Sequence, residues 1–457
     1  MAAKRIILLL DGTWNDQDFG AADTNIVRIQ QIIARSLNIV TQPLPKIAHQ
    51  SGPNSKLARG FTSQEGRENI VFYERGVGTG ALDRFRGGVF GDGLDGNVRR
   101  AYKFLSYWYE DGDQVFVFGF SRGAFTARSL VGYVGAAGLL TRNSCTAENE
   151  ARAWGYYRTS PNNRLPGGWA ELGSYVNDRD KLKIDCVGVF ETVGALGIPV
   201  DWFDIANRDH FAFHNVELSS ITKVNLHAIA IDEHRWPFQA SIWRKPKFKQ
   251  FASDTEQVWF AGAHADIGGS YIDEETREAK HPQALDDITL DWMLKRVCAH
   301  FPDFPFDPGA WKNVGPGWAT ADQHEPRKGP YLLESFALRS IANCPLTGLG
   351  FRQADVCWDR HADPIGEMIH ISALERLGAK VRSDDVPIRY APKNLLQVLD
   401  VVHASYSGLG GAPLLGRPEI RVVDWSGQDL DPANAANQIS VQKVIADARD
   451  RITQVQS

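Results

Sequence analysis

Short runs of Val, Ile, Leu and Phe, each closed by a Gly- or Asp-bearing turn, recur through the first 270 residues of this 457-residue chain. They are Arg5 to Leu10, Ile70 to Tyr73, Gln114 to Phe118, Ile184 to Phe190, Leu226 to Ile231 and the shorter Gln257 to Phe260. Between them apolar residues return at helical spacing, as in Ile26, Ile29, Ile33 and Leu37, or in Val98, Ala101, Leu105 and Trp108 before the Asp111-Gly112 stop. Strand and helix alternate, which predicts an α/β fold with a mainly parallel sheet flanked by helices.

Composition narrows the function classes. With 43% hydrophobic and 23% charged residues the chain is ordinary globular material. Its 50 Lys and Arg against 55 Asp and Glu give a net charge of −5, with no long run of one sign, so nucleic acid is not expected as a partner. Ile6 to Leu10 is cut by Asp11, far short of the ~18 apolar residues of a spanning helix. Membrane contact is expected to be peripheral at most. No small-residue cleavage site follows that run, so it reads as a first strand, and the expected location is cytoplasmic or exported without a cleavable signal peptide. Five scattered cysteines without a CxxC pair fit a reducing compartment and exclude a zinc finger.

The strand Val115 to Phe118 runs into Gly119-Phe120-Ser121-Arg122-Gly123-Ala124 and then into a small-residue helix from Ala127 to Leu140. This is G-x-S-x-G in a strand-turn-helix context, where the tight turn needs small flanking residues and leaves the serine Oγ presented as a nucleophile. The N-terminus of the following helix aims backbone N–H groups at a developing oxyanion.

With that motif the sequence resembles the uncharacterised α/β-hydrolase domain family that includes the catalytic modules of type VI secretion phospholipase effectors. The matching pieces are Leu10-Asp11-Gly12-Thr13-Trp14-Asn15, Gly76-Val77-Gly78-Thr79, the elbow itself, Thr192-Val193-Gly194, Ala230-Ile231-Asp232-Glu233-His234-Arg235 and Trp259 to Gly269, spread over about residues 4 to 275. The resemblance implies an α/β-hydrolase fold, hydrolysis of carboxylic or lipid esters, and, for an effector, a secretion-system or immunity partner. Where it leads one to expect Asp before Thr-Val-Gly, this chain has Glu191.

Serine needs a base and the base an orienting acid, in the chain order Ser, acid, His for this fold. His264, in a glycine-rich turn after Gln257 to Phe260, is the expected base; His403 is the rival, and His234 could also serve. Asp232, closing Leu226 to Ile231, is the expected acid, with Glu191 the alternative and Asp266 close by in the same turn as His264. The oxyanion hole is expected from the N–H of Gly12 or Thr13 together with that of Arg122. No cofactor or metal is expected. A competing class is a metal-dependent phosphoester hydrolase using Asp11, Asp232, His264 and Asp266. A non-catalytic hydrolase-fold scaffold is a third, which the presence of both Ser121 and His264 disfavours.

Residues 1 to 275 are expected to form the catalytic core, with long surface insertions at 41 to 68 and 141 to 180. Core strands should be complete by Gly269. A helix is expected over Leu285 to His300, and residues 276 to 457 are read as a helical and irregular cap over the active-site mouth.

Overall fold

The computed structural model describes residues 3–12, 23–37, 59–62, 67–74, 76, 89–164, 166–193, 218–244, 253–271, 283–328, 336–342, 344, 365–407 and 419–454. Strand β1 (Arg5–Leu10) is apolar after its first residue and wholly buried, as a central parallel strand covered on both faces must be. It pairs in parallel with β3 (Glu68–Glu74) on one side and β4 (Gln114–Phe120) on the other. The sheet then continues through parallel β5 (Ile184–Phe190), β6 (Thr222–Ala230) and β7 (Asp254–Phe260). These are the strands anticipated from the apolar runs, and the architecture is α/β-hydrolase-like.

Side chains alternate across β1, and each face has its own core. Ile6, Leu8 and Leu10 pack with the helices Val89–Trp108, Arg122–Ala137 and Ala147–Arg158. Ile7 and Leu9 pack with the helices Asn25–Ser36 and Leu285–His300 on the other face. The last helix spans the range anticipated, but not as a cap: Trp292 and Met293 are buried against the sheet core.

The sheet does not end by Gly269. Residues 276 onward contribute β8 (Glu367–His370), parallel to β7, then β11 (Arg421–Val423) and β12 (Asp429–Leu430), giving one sheet of ten strands among the described residues. The separate hairpin of β9 (Lys380–Ser383) and β10 (Val386–Arg389) belongs to the same region. Helices Lys393–Ser405 and Ala435–Thr453 close a third core over Ile229, Trp259 and Ile369. The expectation that the core strands finish before residue 276 is therefore corrected: an edge at β7 would leave Trp259 and Val258 uncovered, and the later chain supplies the neighbour.

The two expected insertions also differ. Residues 59–62 form β2 (Arg59–Thr62), an antiparallel edge strand beside β3, while 41–58 lie outside the described residues. The segment 141–180 is largely helical, and its Trp154, Tyr157 and Leu172 are buried in the main core rather than carried on a surface loop. Tyr133 stacks on Tyr102 and Tyr157 there. Among the described residues no helix is long and apolar enough to cross a membrane.

Because β8 covers β7 and the helix Leu285–His300 covers one sheet face, the chain cut after residue 275 is expected to lack a cooperative thermal transition and to keep no near-ultraviolet circular dichroism. A sharp transition in that fragment would show a self-sufficient core.

Candidate active site

The elbow is built by close approach. At the end of β4, Ser121 takes φ 57 and ψ −121, a conformation that L-residues avoid unless the surroundings impose it. A Cβ on Gly119 would sit 2.6 Å from the Gly123 carbonyl oxygen, and one on Gly123 would sit 2.0 Å from that of Leu10. Both flanking glycines of the motif are thus required by contact. The Ser121 N–H donates to the Phe190 carbonyl at 3.1 Å, tying the turn to the end of β5, and the helix Arg122–Ala137 begins with the next residue.

His264 follows β7 and opens the short helix His264–Gly268. Its Nε2 lies 2.9 Å from Ser121 Oγ and its Nδ1 3.1 Å from Glu191 Oε2. A carboxylate only accepts, so Nδ1 carries the proton and Nε2 is left to accept from the serine hydroxyl. All three side chains are buried, and the rings of Phe120 and Phe238 flank the imidazole at 4.9 and 5.2 Å. Burial lowers the His264 pKa, with the Glu191 carboxylate opposing that shift.

The acid on the imidazole is Glu191 and not Asp232. Register explains the difference. Phe120 pairs with Phe190 and Phe190 with Ala228, so Ser121, Glu191 and Ile229 stand level across the sheet. Asp232 is three residues beyond Ile229, roughly 10 Å farther along an extended chain at about 3.3 Å per residue. Its carboxylate instead accepts from the Gly262 N–H at 2.7 Å and the Tyr390 hydroxyl at 2.9 Å. Burial pushes the Asp232 pKa up to about 6 against those two donors.

Glu191 shares the strained signature of the serine, with φ 48 at the first residue after its strand. Its Oε1 accepts from the Ala230 N–H at 2.6 Å, and the Arg339 guanidinium donates to both oxygens at 2.8 and 2.9 Å. Burial by itself would raise the Glu191 pKa, but Arg339 foremost, and then His264, hold it down at about 2. Arg339 also reaches the carbonyls of Ala230 and Phe238. Sequence reasoning missed it, since it lies 148 residues from its partner and outside any motif.

The other expected residues fall in several places. Asp266 accepts from the Ala263 N–H at 2.9 Å and pairs with His324 Nδ1 at 2.6 Å. His403 lies near the end of the helix Lys393–Ser405, half-buried and away from Ser121. The His234 ring lies 4.9 Å from that of Phe336. Gly12 does sit beside Ser121, since a Cβ there would be 3.2 Å from Ser121 Cβ. Its N–H, however, donates to Asp11 Oδ1 at 2.7 Å, and Asp11 also accepts from Tyr73 at 2.6 Å and Thr24 at 2.9 Å. Thr13 lies outside the described residues. Arg122 is the first residue of its helix, so its N–H points out of the helix end toward the elbow. The four residues of the metal alternative are engaged by separate partners, and among the described residues no group of three or more His, Cys, Asp or Glu is placed to hold a metal ion.

Residues 4–296 match the family model described as the type VI secretion phospholipase effector Tle1-like catalytic domain. The chain belongs to that family. A relative of this Tle1-like domain is the uncharacterized protein YEL023C of Saccharomyces cerevisiae, 28% identical over an alignment of 261 residues that covers 52% of this chain and 32% of the relative. The chain thus spans about a third of the length of that curated relative. Among solved structures, an uncharacterized protein from Pseudomonas aeruginosa is 17% identical, with 65% of this chain and 46% of that one covered and a TM-score of 0.35. A Tle1 effector bound to the VgrG spike of the type 6 secretion system is 18% identical, with 58% and 51% covered and a TM-score of 0.25.

Removing one partner of a buried ion pair leaves the other uncompensated, a loss of about 3–5 kcal/mol. Arg339→Met is therefore expected to lower stability by that amount in urea unfolding at pH 7, and Arg339→Met/Glu191→Gln to recover part of it. Glu191 has a folded pKa below its unfolded value, so its contribution is complete above the unfolded pKa of about 4.3 and fades as pH falls toward 2. In the Arg339→Met variant burial raises the Glu191 pKa unopposed by the guanidinium, so that acid-side loss of stability should shrink or reverse.

Proposed function

We propose that this Tle1-like domain hydrolyses carboxylic esters of phospholipids with Ser121 as nucleophile, His264 as general base and Glu191 as the orienting acid. The observation that carries it is the continuous relay from Ser121 Oγ to His264 Nε2 at 2.9 Å and from His264 Nδ1 to Glu191 at 3.1 Å. The choice of a phospholipid rests on the family to which residues 4–296 belong. The same family description supports a secretion-system partner.

In this mechanism Nε2 takes the hydroxyl proton as Oγ bonds to the ester carbonyl carbon. The resulting oxyanion faces the N-terminus of the helix Arg122–Ala137, where the Arg122 N–H is the donor we assign. Collapse breaks the carbon–oxygen bond to the leaving alcohol, which receives the proton from the imidazolium. Water then attacks the acyl-serine, giving its proton to His264, and the serine leaves as the free hydroxyl. Glu191, charged throughout, holds the tautomer and stabilises the imidazolium.

A fluorophosphonate probe is expected to label the wild type and not Ser121→Ala, and hydrolysis across a panel of phospholipid and simple esters should vanish with the same substitution. Hydrolysis that survives Ser121→Ala would overturn the assignment. Glu191→Gln is expected to cost about 10⁴-fold in kcat, the scale of an amide replacement in a comparable triad.

The pH profile follows from the base. His264 must be neutral to accept a proton, and burial places its pKa below the ordinary 6.5. The acid limb of kcat/KM is therefore expected to have its midpoint below 6.5, with no second carboxylate limb above it from Glu191.

A further inference from the structure

Three consecutive amides in the turn that carries the base each donate to a different buried carboxylate. Gly262 N–H donates to Asp232 at 2.7 Å, Ala263 N–H to Asp266 at 2.9 Å and His264 N–H to Glu233 at 3.3 Å. Hydrogen bonds from amides to carboxylates are charge-assisted, and here they are buried. Only the Asp266 contact is ordinary helix capping, since Asp266 is the third residue of the helix it caps. Asp232 and Glu233 come from the end of a different strand, β6.

Each carboxylate is held from behind. Asp232 takes the Tyr390 hydroxyl at 2.9 Å, Glu233 takes Arg235 Nε at 2.9 Å and its terminal nitrogen at 2.7 Å, and Asp266 takes both the N–H and Nδ1 of His324 at 3.1 and 2.6 Å. His324 is itself stacked on Tyr271, the ring centroids 3.9 Å apart. Two of these supports, His324 and Tyr390, lie after residue 296, beyond the segment that matches the family model.

The turn has little of its own to set its path, because Gly262 stands at φ +117, a conformation open to glycine and few other residues. Its amides are thereby free to point inward, and where they point decides where the His264 Cα sits. An imidazole displaced by an ångström no longer meets the serine oxygen in line, which is a rate effect and not a binding effect.

We propose that Asp232, Glu233 and Asp266, backed by Tyr390 and His324, are positioning residues that hold the His264 turn against Ser121, so that the chain after residue 296 is part of the catalytic apparatus. This rests on His264 acting as the general base for Ser121.

The test is made on the full chain with Asp232→Asn and Tyr390→Phe, the second deleting one oxygen and leaving the Asp232 to Gly262 bond in place. Asp232→Asn is expected to lower kcat by up to about 100-fold and Tyr390→Phe by a smaller factor, with KM within about twofold and the rate of fluorophosphonate labelling falling in step with kcat. A role in stability alone would lower the melting temperature and leave kcat at about 20 °C unmoved. Folded variants with wild-type kcat and labelling rate, or with a raised KM and unchanged kcat, overturn the inference while leaving the site intact. If Asp232→Asn does not fold, Tyr390→Phe decides by the same criteria. A wild type in which Ser121 is not labelled at all overturns the assignment of the site and this inference with it.

Discussion

The carboxylate of Glu191 is the point on which the described structure converges. It sits wholly buried at the end of β5 and touches the His264 imidazole, the end of β6 through the Ala230 amide, and Arg339 from the C-terminal region. An isolated carboxylate in such a place would take up a proton, and a neutral acid would no longer stabilise an imidazolium. The guanidinium keeps the charge in place. A planar fork that meets both oxygens also fixes the rotation of the carboxylate, which a lysine could not do.

That requirement spreads outward. The ends of β5, β6 and β7 gather Glu191, Asp232, Glu233 and Asp266 around one histidine, and each buried acid needs donors of its own. The donors are backbone amides of the His264 turn on one side and Arg339, Tyr390, Arg235 and His324 on the other. Three of those four side chains lie after residue 296, the last residue matched by the family model. The same stretch supplies β8 to the open edge of β7. Charge satisfaction at the strand ends and hydrogen-bond satisfaction along the strand edge therefore call on one region of chain.

Strain at the site follows a common pattern. Ser121 and Glu191 are each the first residue after a buried parallel strand, and each has a positive φ that a free chain would relax. The glycine contacts of the elbow and the Ser121 to Phe190 hydrogen bond hold the first; the ion pair with Arg339 holds the second. Local strain of this kind persists only where packing and hydrogen bonding over-determine the position, and both residues have that support.

The apolar runs were enough to mark β1 and β3 to β7, because a strand buried on both faces must be apolar along its length and the chain shows this without reference to neighbours. The context of Gly119 to Gly123 marked the serine for a similar reason: a turn that excludes a Cβ at both flanking positions leaves its trace in residue type. The glycine-rich turn singled out His264, and the structure places its Nε2 2.9 Å from Ser121 Oγ. What residue type could not decide was which acid met it. Asp232 and Glu191 both end strands, and only the register of β4, β5 and β6 sets Glu191 level with Ser121 and carries Asp232 three residues past it. Nor could β8, β11 and β12 be read in advance, since strands of two to four residues are too short to show a period and exist because an edge is there to be paired. Arg339 is the extreme case, a side chain whose role is set by a partner 148 residues away and so by the tertiary fold alone.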